Sequence, residues 1–327
     1  MTHYEYWPWY AMYVPMLPLY VYGVIRTRRW LYFTAANPGI EMGGFFGEKK
    51  NEILDLIPLK YKVKTVDVHG LGRVTDIEKI VEENGLKYPF VLKPNVGERG
   101  EGVKIIRSRE NLEEYLGNDE DLVLQEYVDS DLELGVLYVH FPDEKLGKVT
   151  SLSSKKFLSV VGDGKSSVRK LLKGDDRGSV YYDLVCNEFP DKLDYLPFDN
   201  EEYIIHKIGN HTKGTQFLDC NHLLSDEIDM VFSSISKNVK GVFYGRYDLK
   251  VPSHKDLSKG ENIKIFELNG VSSEPGHVYD QKHVFLAYLE LGKHWLHIIK
   301  VCRQNIKKGV KTTPFLIFFK TIKKHFV

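Results

Sequence analysis

Short stretches in which apolar residues alternate with polar ones, or form compact apolar runs, interleave along this chain with stretches in which they recur at helical spacing. The first kind marks strands at Thr65 to Val68, Tyr88 to Lys93, Val103 to Ile106, Asp121 to Val128, Leu132 to Phe141, Val242 to Val251 and Asn262 to Gly270. The second kind appears over Phe45 to Ile57, where Ile53, Leu54 and Ile57 sit among charges and Pro58 closes the run. Thr75 to Asn84 reads as a helix, with Thr75 as N-cap, Glu78 as its capping-box partner and Asn84-Gly85 as its stop. Ser108 is placed to cap another helix, whose apolar side runs from Asn111 to Leu116. Residues 75–120 therefore read as helix, strand, glycine hairpin, strand, helix, a small α+β lobe.

The glycine hairpin brings the first chemistry. Lys93 ends an apolar strand, and the loop Asn95-Val96-Gly97-Glu98-Arg99-Gly100-Glu101-Gly102 follows before the next strand. Gly97, Gly100 and Gly102 can adopt positive φ and bring backbone N–H groups close to an anion, while Lys93 adds a fixed positive charge. Phosphate is the natural guest. Two common phosphate loops do not fit: ahead of Gly164-Lys165-Ser166 the glycine a Walker loop needs is Ser159, and the middle glycine of a dinucleotide fingerprint is Arg99 with a strand following. A ligand-free β-turn has the same sequence form.

The second constellation lies far along the chain. Val242 to Val251 and Asn262 to Gly270 are β-type runs joined by a polar loop, so they should pair antiparallel. Alternation puts Arg246 and Asp248 on one face and Glu267 and Asn269 on one face. If the faces coincide, Asp248, Glu267 and Asn269 offer only hard oxygen ligands, which suit Mg²⁺ or Mn²⁺ and not zinc. Arg246 then stands ready to neutralise phosphoryl charge. The same residues also make an ordinary salt-bridged strand pair.

Charge and composition narrow the partners. Lys+Arg 45 balances Asp+Glu 45, which gives no reason to expect nucleic acid. Cys186, Cys220 and Cys302 are too few and scattered for a disulfide framework, so a reducing, cytoplasmic setting is expected. His206, His211, Cys220 and His222 lie in a short span but lack paired zinc spacing; loop residues are the reading, with His211 a possible substrate contact. Lys155 and Lys156 precede a Gly162-Asp163-Gly164 turn and a helix from Ser167 to Leu172, a combination that fits a second anion site or a solvated surface.

The two ends differ from the rest. From Trp7 to Ile25 no side chain is charged and aromatic rings crowd the run, after which Arg26, Arg28 and Arg29 follow. Pro8, Pro15 and Pro18 each remove a donor that lipid cannot replace, so crossing a bilayer is the poorer reading. The run also lacks a basic leader and a cleavage site for a secretory signal. It suits the water–lipid interface, or packing on the main body, equally well. From Lys300 onward the charges are all basic, around an apolar Phe315 to Phe319, which suits an anionic membrane or a helix packed on the body.

Taken together, Tyr88 to Val103, Leu124 to Glu133, Gly245 to Asp248 and Glu267-Leu268-Asn269-Gly270 resemble the successive signatures of the ATP-grasp superfamily, in particular its carboxylate-amine ligases. The resemblance covers roughly residues 75–295 and implies an α+β fold in which two α+β lobes enclose a nucleotide cleft. It implies an organisation of an aromatic-rich N-terminal region over 1–74, a small lobe over 75–128, a large lobe with the metal site over 129–299 and a basic-apolar tail over 300–327. Carried onto this chain, Lys93 contacts the phosphates of ATP, and Gly97, Arg99, Gly100 and Gly102 belong to the loop that closes over them. Gln125, Glu126 and Val128 line the adenine slot, Glu133 binds the ribose, and Lys155 stands in for a second ATP lysine. Asp248, Glu267 and Asn269 hold Mg²⁺ (or Mn²⁺), and Arg246 steadies the acyl-phosphate oxyanion.

The implied reaction joins a carboxylate to an amine or thiol through an acyl phosphate, with small-molecule substrates and peripheral membrane contact through the N-terminal aromatic run and the basic C-terminal segment. Two departures stand out. Ligases of this type carry a lysine in the hinge strand where this chain has Glu126, and the region ahead of residue 75 is too short and too aromatic for a full substrate domain. Two other readings remain beside the ligase: a phosphotransferase acting on a hydroxyl, and a non-catalytic membrane-associated binding module.

Overall fold

The computed structural model describes residues 4–47, 49–69, 73–96, 101–116 and 121–326, leaving aside the side chains of 324–326. Gly97, Arg99 and Gly100, assigned above to the phosphate loop, lie outside the described residues. Two compact units form. One is built from Gly102–Ser154, Asp219–Val327 and the chain ahead of the glycine loop, and the other is centred on Lys155–Leu218.

The first unit begins with two short helices, α1 (Trp9–Tyr13) and α2 (Leu17–Thr27), joined through a 3-10 turn at Val14–Met16. The prolines fall at the joints: Pro8 precedes α1, Pro15 lies in the turn and Pro18 in the first turn of α2, where a missing N–H costs nothing. Helix α3 covers only Lys50–Leu54 of the stretch predicted from Phe45. The reason is local: Gly43, Gly44 and Gly47 all have positive φ, which ends helical geometry before it starts.

A four-stranded antiparallel sheet follows, made of β1 (Thr65–Val68), β2 (Phe90–Pro94), β3 (Lys104–Ile106) and β4 (Leu122–Glu126) in the order β1-β4-β2-β3. Its apolar face, with Val68, Phe90, Leu92, Ile106 and Leu124, packs on Ile77 and Val81 of α4 (Val74–Glu83) and Leu112 of α5 (Arg109–Tyr115). Ser108 caps α5 as expected, accepting from the Asn111 N–H at 3.4 Å. Thr75 does not cap α4. The N-cap is Arg73 without a side-chain bond, and Glu78 turns away to accept from Arg109 at 2.7 Å and from the Tyr88 hydroxyl at 3.3 Å. A tertiary ion pair has displaced the local capping box. Strand β1, ahead of residue 75, is an edge of this small sheet.

The larger sheet contains β5 (Leu132–Val139) and β6 (Lys148–Lys156), which runs out of the first unit at Ser154. In the second unit β7 (Ser159–Val161) pairs antiparallel with β8 (Glu202–Ile204), around α6 (Val168–Gly174), α7 (Asp176–Val180) and α8 (Tyr182–Glu188), with β9 (Gln216–Asp219) at its end. There the Asp163 carboxylate accepts from the Lys165 and Ser166 N–H groups at 2.9 and 2.6 Å and from the Ser166 hydroxyl at 2.8 Å, so the Gly-Asp-Gly turn is closed by its own aspartate.

Back in the first unit come α9 (Asp226–Asn238), β10 (Tyr244–Val251), α10 (His254–Lys259), β11 (Lys264–Asn269), the long α11 (Val284–Lys307) and α12 (Phe315–Phe326). Strand β10 lies between β5 and β11, antiparallel to both. One face of this sheet buries Leu134, Val136, Tyr138, Tyr247, Leu249 and Ile265 with Phe232 of α9 and Leu257 of α10. At one end of the opposite face Leu137, Val139 and Tyr244 cluster with Ile298, Ile299 and Cys302 of α11. The polar residues occupy the rest of that face.

Candidate functional site

Alternation along β10 builds the polar face, and a bulge in β11 turns Ile265 to the core while Glu267 stays on the polar side. Register sets Asp248 opposite Glu267 and Arg246 opposite Asn269 on one side of β10, and Asp248 opposite Gly135 and Lys250 opposite Glu133 on the other. The two faces foreseen for the hairpin therefore coincide. Arg246 donates to Asp248 through Nε at 3.1 Å and Nη2 at 3.2 Å, and the Asn269 amide donates to Asp248 at 3.3 Å. Arg246 also donates to the Glu274 carbonyl at 3.2 Å. A salt-bridged pair is thus present, and it belongs to the same cluster as Glu267 and Asn269.

Gly135 makes room for this cluster. A Cβ there would meet Ser153 Oγ at 3.1 Å, Asp248 Oδ1 at 3.3 Å and Arg246 Cδ at 3.4 Å. The end of β11 is held by a similar close approach, since a Cβ on Gly270 would come 2.6 Å from the Gly43 carbonyl oxygen. The Asn37 side chain fixes the start of β10. Its amide donates to the carbonyls of Gly43 at 2.9 Å and Tyr244 at 2.7 Å, and its oxygen accepts from the N–H groups of Phe243 and Tyr244 at 2.8 and 2.9 Å.

Lys93 reaches this hairpin from the small sheet. It is buried, and its ammonium donates to Gln125 Oε1 at 3.1 Å and to the Phe266 carbonyl, one residue before Glu267, at 3.2 Å. The Gln125 amide bonds the same carbonyl at 3.2 Å and the Thr65 hydroxyl at 3.2 Å. The lysine-bearing strand and the acidic hairpin thus adjoin by direct hydrogen bonds. The join continues along the chain: Val63 donates to the Ile265 carbonyl at 3.1 Å, and Ile265 donates to that of Tyr61 at 2.7 Å.

Electrostatics follow from burial and neighbours. Desolvation pushes Lys93 down to about 8, Lys50 adds to the fall, and Glu267 and Asp248 oppose it. Desolvation also works against the Arg246 charge, but Asp248 and Glu267 outweigh it and hold the guanidinium above its usual value. Burial raises the Glu274 carboxyl, with the Tyr279 hydroxyl donating to it in partial compensation.

The remaining expected contacts are dispersed. Glu126 accepts from the Lys64 N–H at 3.2 Å and lies 3.9 Å from Lys264. The Val128 carbonyl accepts from Lys250 at 2.9 Å, and Glu133 lies 3.7 Å from the same ammonium. Gly102 has φ of +68°, and Pro94 occupies the space a side chain would need. Lys155 belongs to the second unit, where its ammonium lies over the Phe217 ring. In that unit the His206 ring bonds the Lys213 carbonyl at 2.7 Å and stacks on Phe189, and the His211 carbonyl accepts from the Tyr181 hydroxyl at 3.0 Å. Among the described residues no group of three or more His, Cys, Asp or Glu side chains is arranged to hold a metal ion. The Asp248 cluster has two carboxylates and an amide.

Lys250, Asn37 and Gly135 were missed by sequence reasoning. Lys250 had a usable signal, since it follows Asp248 by two positions and must share its face. Asn37 and Gly135 gave none beyond a turn residue and a strand glycine.

No protein-family model matches the chain, and no curated protein matches it in sequence. Among solved structures it is similar to D-alanine–D-alanine ligase from Bacillus anthracis, at 13% identity and a TM-score of 0.45 over 80% of this chain and 69% of that one. It is also similar to the VanG D-Ala:D-Ser ligase from Enterococcus faecalis, at 15% identity and a TM-score of 0.42 over 77% and 61%. For a bifunctional glutathione synthetase from Pasteurella multocida the figures are 16% and 0.34, and the match spans 71% of this chain but 34% of that one.

Proposed function

We propose that the protein is an ATP-dependent ligase that joins a small carboxylate to an amine. The observation that carries this reading is the junction of Lys93 with the hairpin of Arg246, Asp248, Glu267 and Asn269. A buried lysine beside paired carboxylates is what a polyphosphate with its counter-ion needs, and the bidentate hold of Asp248 orients Arg246.

Asp248, Glu267 and Asn269 would hold Mg²⁺, which would neutralise phosphate charge. The residues fit it: all three offer hard oxygens, Asp248 and Glu267 are register partners, and the Asn269 nitrogen donates to Asp248, which leaves its oxygen for a cation. Lys93 binds and orients the phosphates. In the first step a carboxylate oxygen takes the γ-phosphoryl group and ADP leaves. In the second the amine nitrogen attacks the acyl carbon, the C–O bond to phosphate breaks, and the nitrogen loses a proton. Arg246 offsets negative charge on the acyl oxygen in both, and alignment with charge neutralisation supplies the acceleration in place of a covalent nucleophile.

The setting we propose is cytoplasmic, peripheral at the inner membrane face, on the strength of the aromatic N-terminal run and the basic C-terminal segment. The test of the chemistry is ADP release against pools of carboxylates and amines. Release that needs both supports the ligase. Release with a hydroxyl acceptor and no amine would replace it with a phosphotransferase, and no ATP turnover under any pool would replace it with a binding module.

A further inference from the structure

Helix α2 is apolar on its outer side as well as its inner one. Its inward positions are Tyr20, Gly23, Val24 and Thr27, whereas Leu17, Val21, Tyr22 and Ile25 point to solvent, with Ile25 68% exposed. A helix packed on a water-soluble body carries polar residues on its outer side. The helix is also not alone. Ala11 accepts from the Tyr288 hydroxyl at 2.6 Å, Leu19 lies against Gly292, and Val24 packs on the cluster of Ile298 and Cys302, so α1 and α2 run beside α11 in the same direction. The exposed stripe of α11 carries Phe285, Leu289 and Leu296, with Lys293 between the two leucines.

On α1–α2 the charge has one sign, and on α11 Glu290 is paired with Lys293. No acidic residue occurs between Tyr6 and Ile40, and Arg26, Arg28 and Arg29 cluster where Arg28, with φ of +57°, ends α2. Exposed Trp9, Tyr10 and Trp30 add rings of the kind that settle at headgroup level. A second copy packed through the same α1–α2 segment would bring no counter-charge to those arginines. Helix α2 has 11 residues, about 16 Å, roughly half of a ~30 Å hydrocarbon core. No described helix is long and apolar enough to cross a membrane.

We propose that the paired outer faces of α1–α2 and α11 form a docking surface for an anionic phospholipid bilayer, on which the helices lie flat. This names the surface and the lipid chemistry behind the peripheral setting proposed above, and it does not depend on the ligase chemistry. The test is co-sedimentation of the full chain with vesicles of phosphatidylglycerol and phosphatidylcholine, against vesicles of phosphatidylcholine alone. Pelleting with the anionic vesicles is expected, weaker by about tenfold or more when Leu17→Ser, Val21→Ser and Ile25→Ser are combined. On the unmodified protein, a blue shift of tryptophan emission on adding anionic vesicles is expected from Trp9 and Trp30. No pelleting, pelleting unchanged in the triple variant, or a dimer in sedimentation velocity that the variant converts to monomer would each overturn the inference. ATP turnover followed in the same samples separates the two readings, because an unmodified protein that turns over ATP but does not pellet with the anionic vesicles removes the docking surface alone.

Discussion

Asp248 does two jobs that can be separated by substitution. It holds Arg246 by two hydrogen bonds and faces Glu267 across the hairpin. Asp248→Asn keeps an acceptor for Arg246 but removes the charge, so the fold should persist while ATP turnover falls by about 10²-fold or more. Asp248→Ala instead leaves a guanidinium uncompensated, at a cost of about 3–5 kcal/mol readable in urea unfolding. Lys93 sets a pH limit. Its folded value, near 8, lies below the ordinary lysine value, so the unliganded protein loses this charge as pH rises through 8. kcat/KM for ATP should decline on that alkaline limb, and Lys93→Gln should abolish the limb together with most of the activity. In stability the sign is opposite: between about 8 and the ordinary value the unfolded chain binds more protons, so the fold gains stability as pH rises there.

At the scale of elements, the latch made by Asn37 joins an N-terminal loop to the first residues of β10. Four hydrogen bonds converge on one buried amide, and Asn37→Ala would strand buried backbone groups at Phe243 and Tyr244. A loss of about 2–4 kcal/mol by urea unfolding is expected, because more than one buried group loses its partner. Elements also show what the chain disclosed. The strands from Thr65 to Val68 and over the acidic hairpin were legible because alternation is a local property, and so were the face shared by Arg246 and Asp248 and the face shared by Glu267 and Asn269, whereas their coincidence is set by the pairing register. Ser108 was legible as a cap because its partner, the Asn111 N–H, lies three residues on in the chain. Thr75 misled because Glu78 had a better partner in Arg109, 31 residues away. The Asn37 latch and the fit of Gly135 beneath Asp248 depend on pairings that no local pattern encodes, and Lys250 was overlooked although alternation alone assigns it to the polar face.

On the scale of the whole molecule, three histidines make the fold sensitive to acid. His294 contacts His277 and His297, with ring centroids 6.1 and 5.6 Å apart. Ser151 bonds the His277 ring at 2.6 Å, and Glu290 lies 3.5 Å from its other nitrogen. Burial lowers all three below the ordinary value of 6.5, His294 furthest. The unfolded chain therefore takes up protons first, and stability should fall as pH drops below about 6.5, by up to about 1.4 kcal/mol per pH unit for each histidine that stays neutral in the fold. Thermal unfolding followed from pH 7.5 to 5 checks the slope, and His294→Gln should flatten it.

The central claim is that Lys93 and the hairpin of Asp248, Glu267 and Asn269 serve one nucleotide. Calorimetric titration with ATP, with and without Mg²⁺, tests it most directly in the unmodified protein and in Lys93→Gln and Glu267→Gln. Saturable binding that requires Mg²⁺ and is lost in both variants is the predicted result. Binding that neither substitution weakens, or that proceeds equally well without the metal, would contradict it.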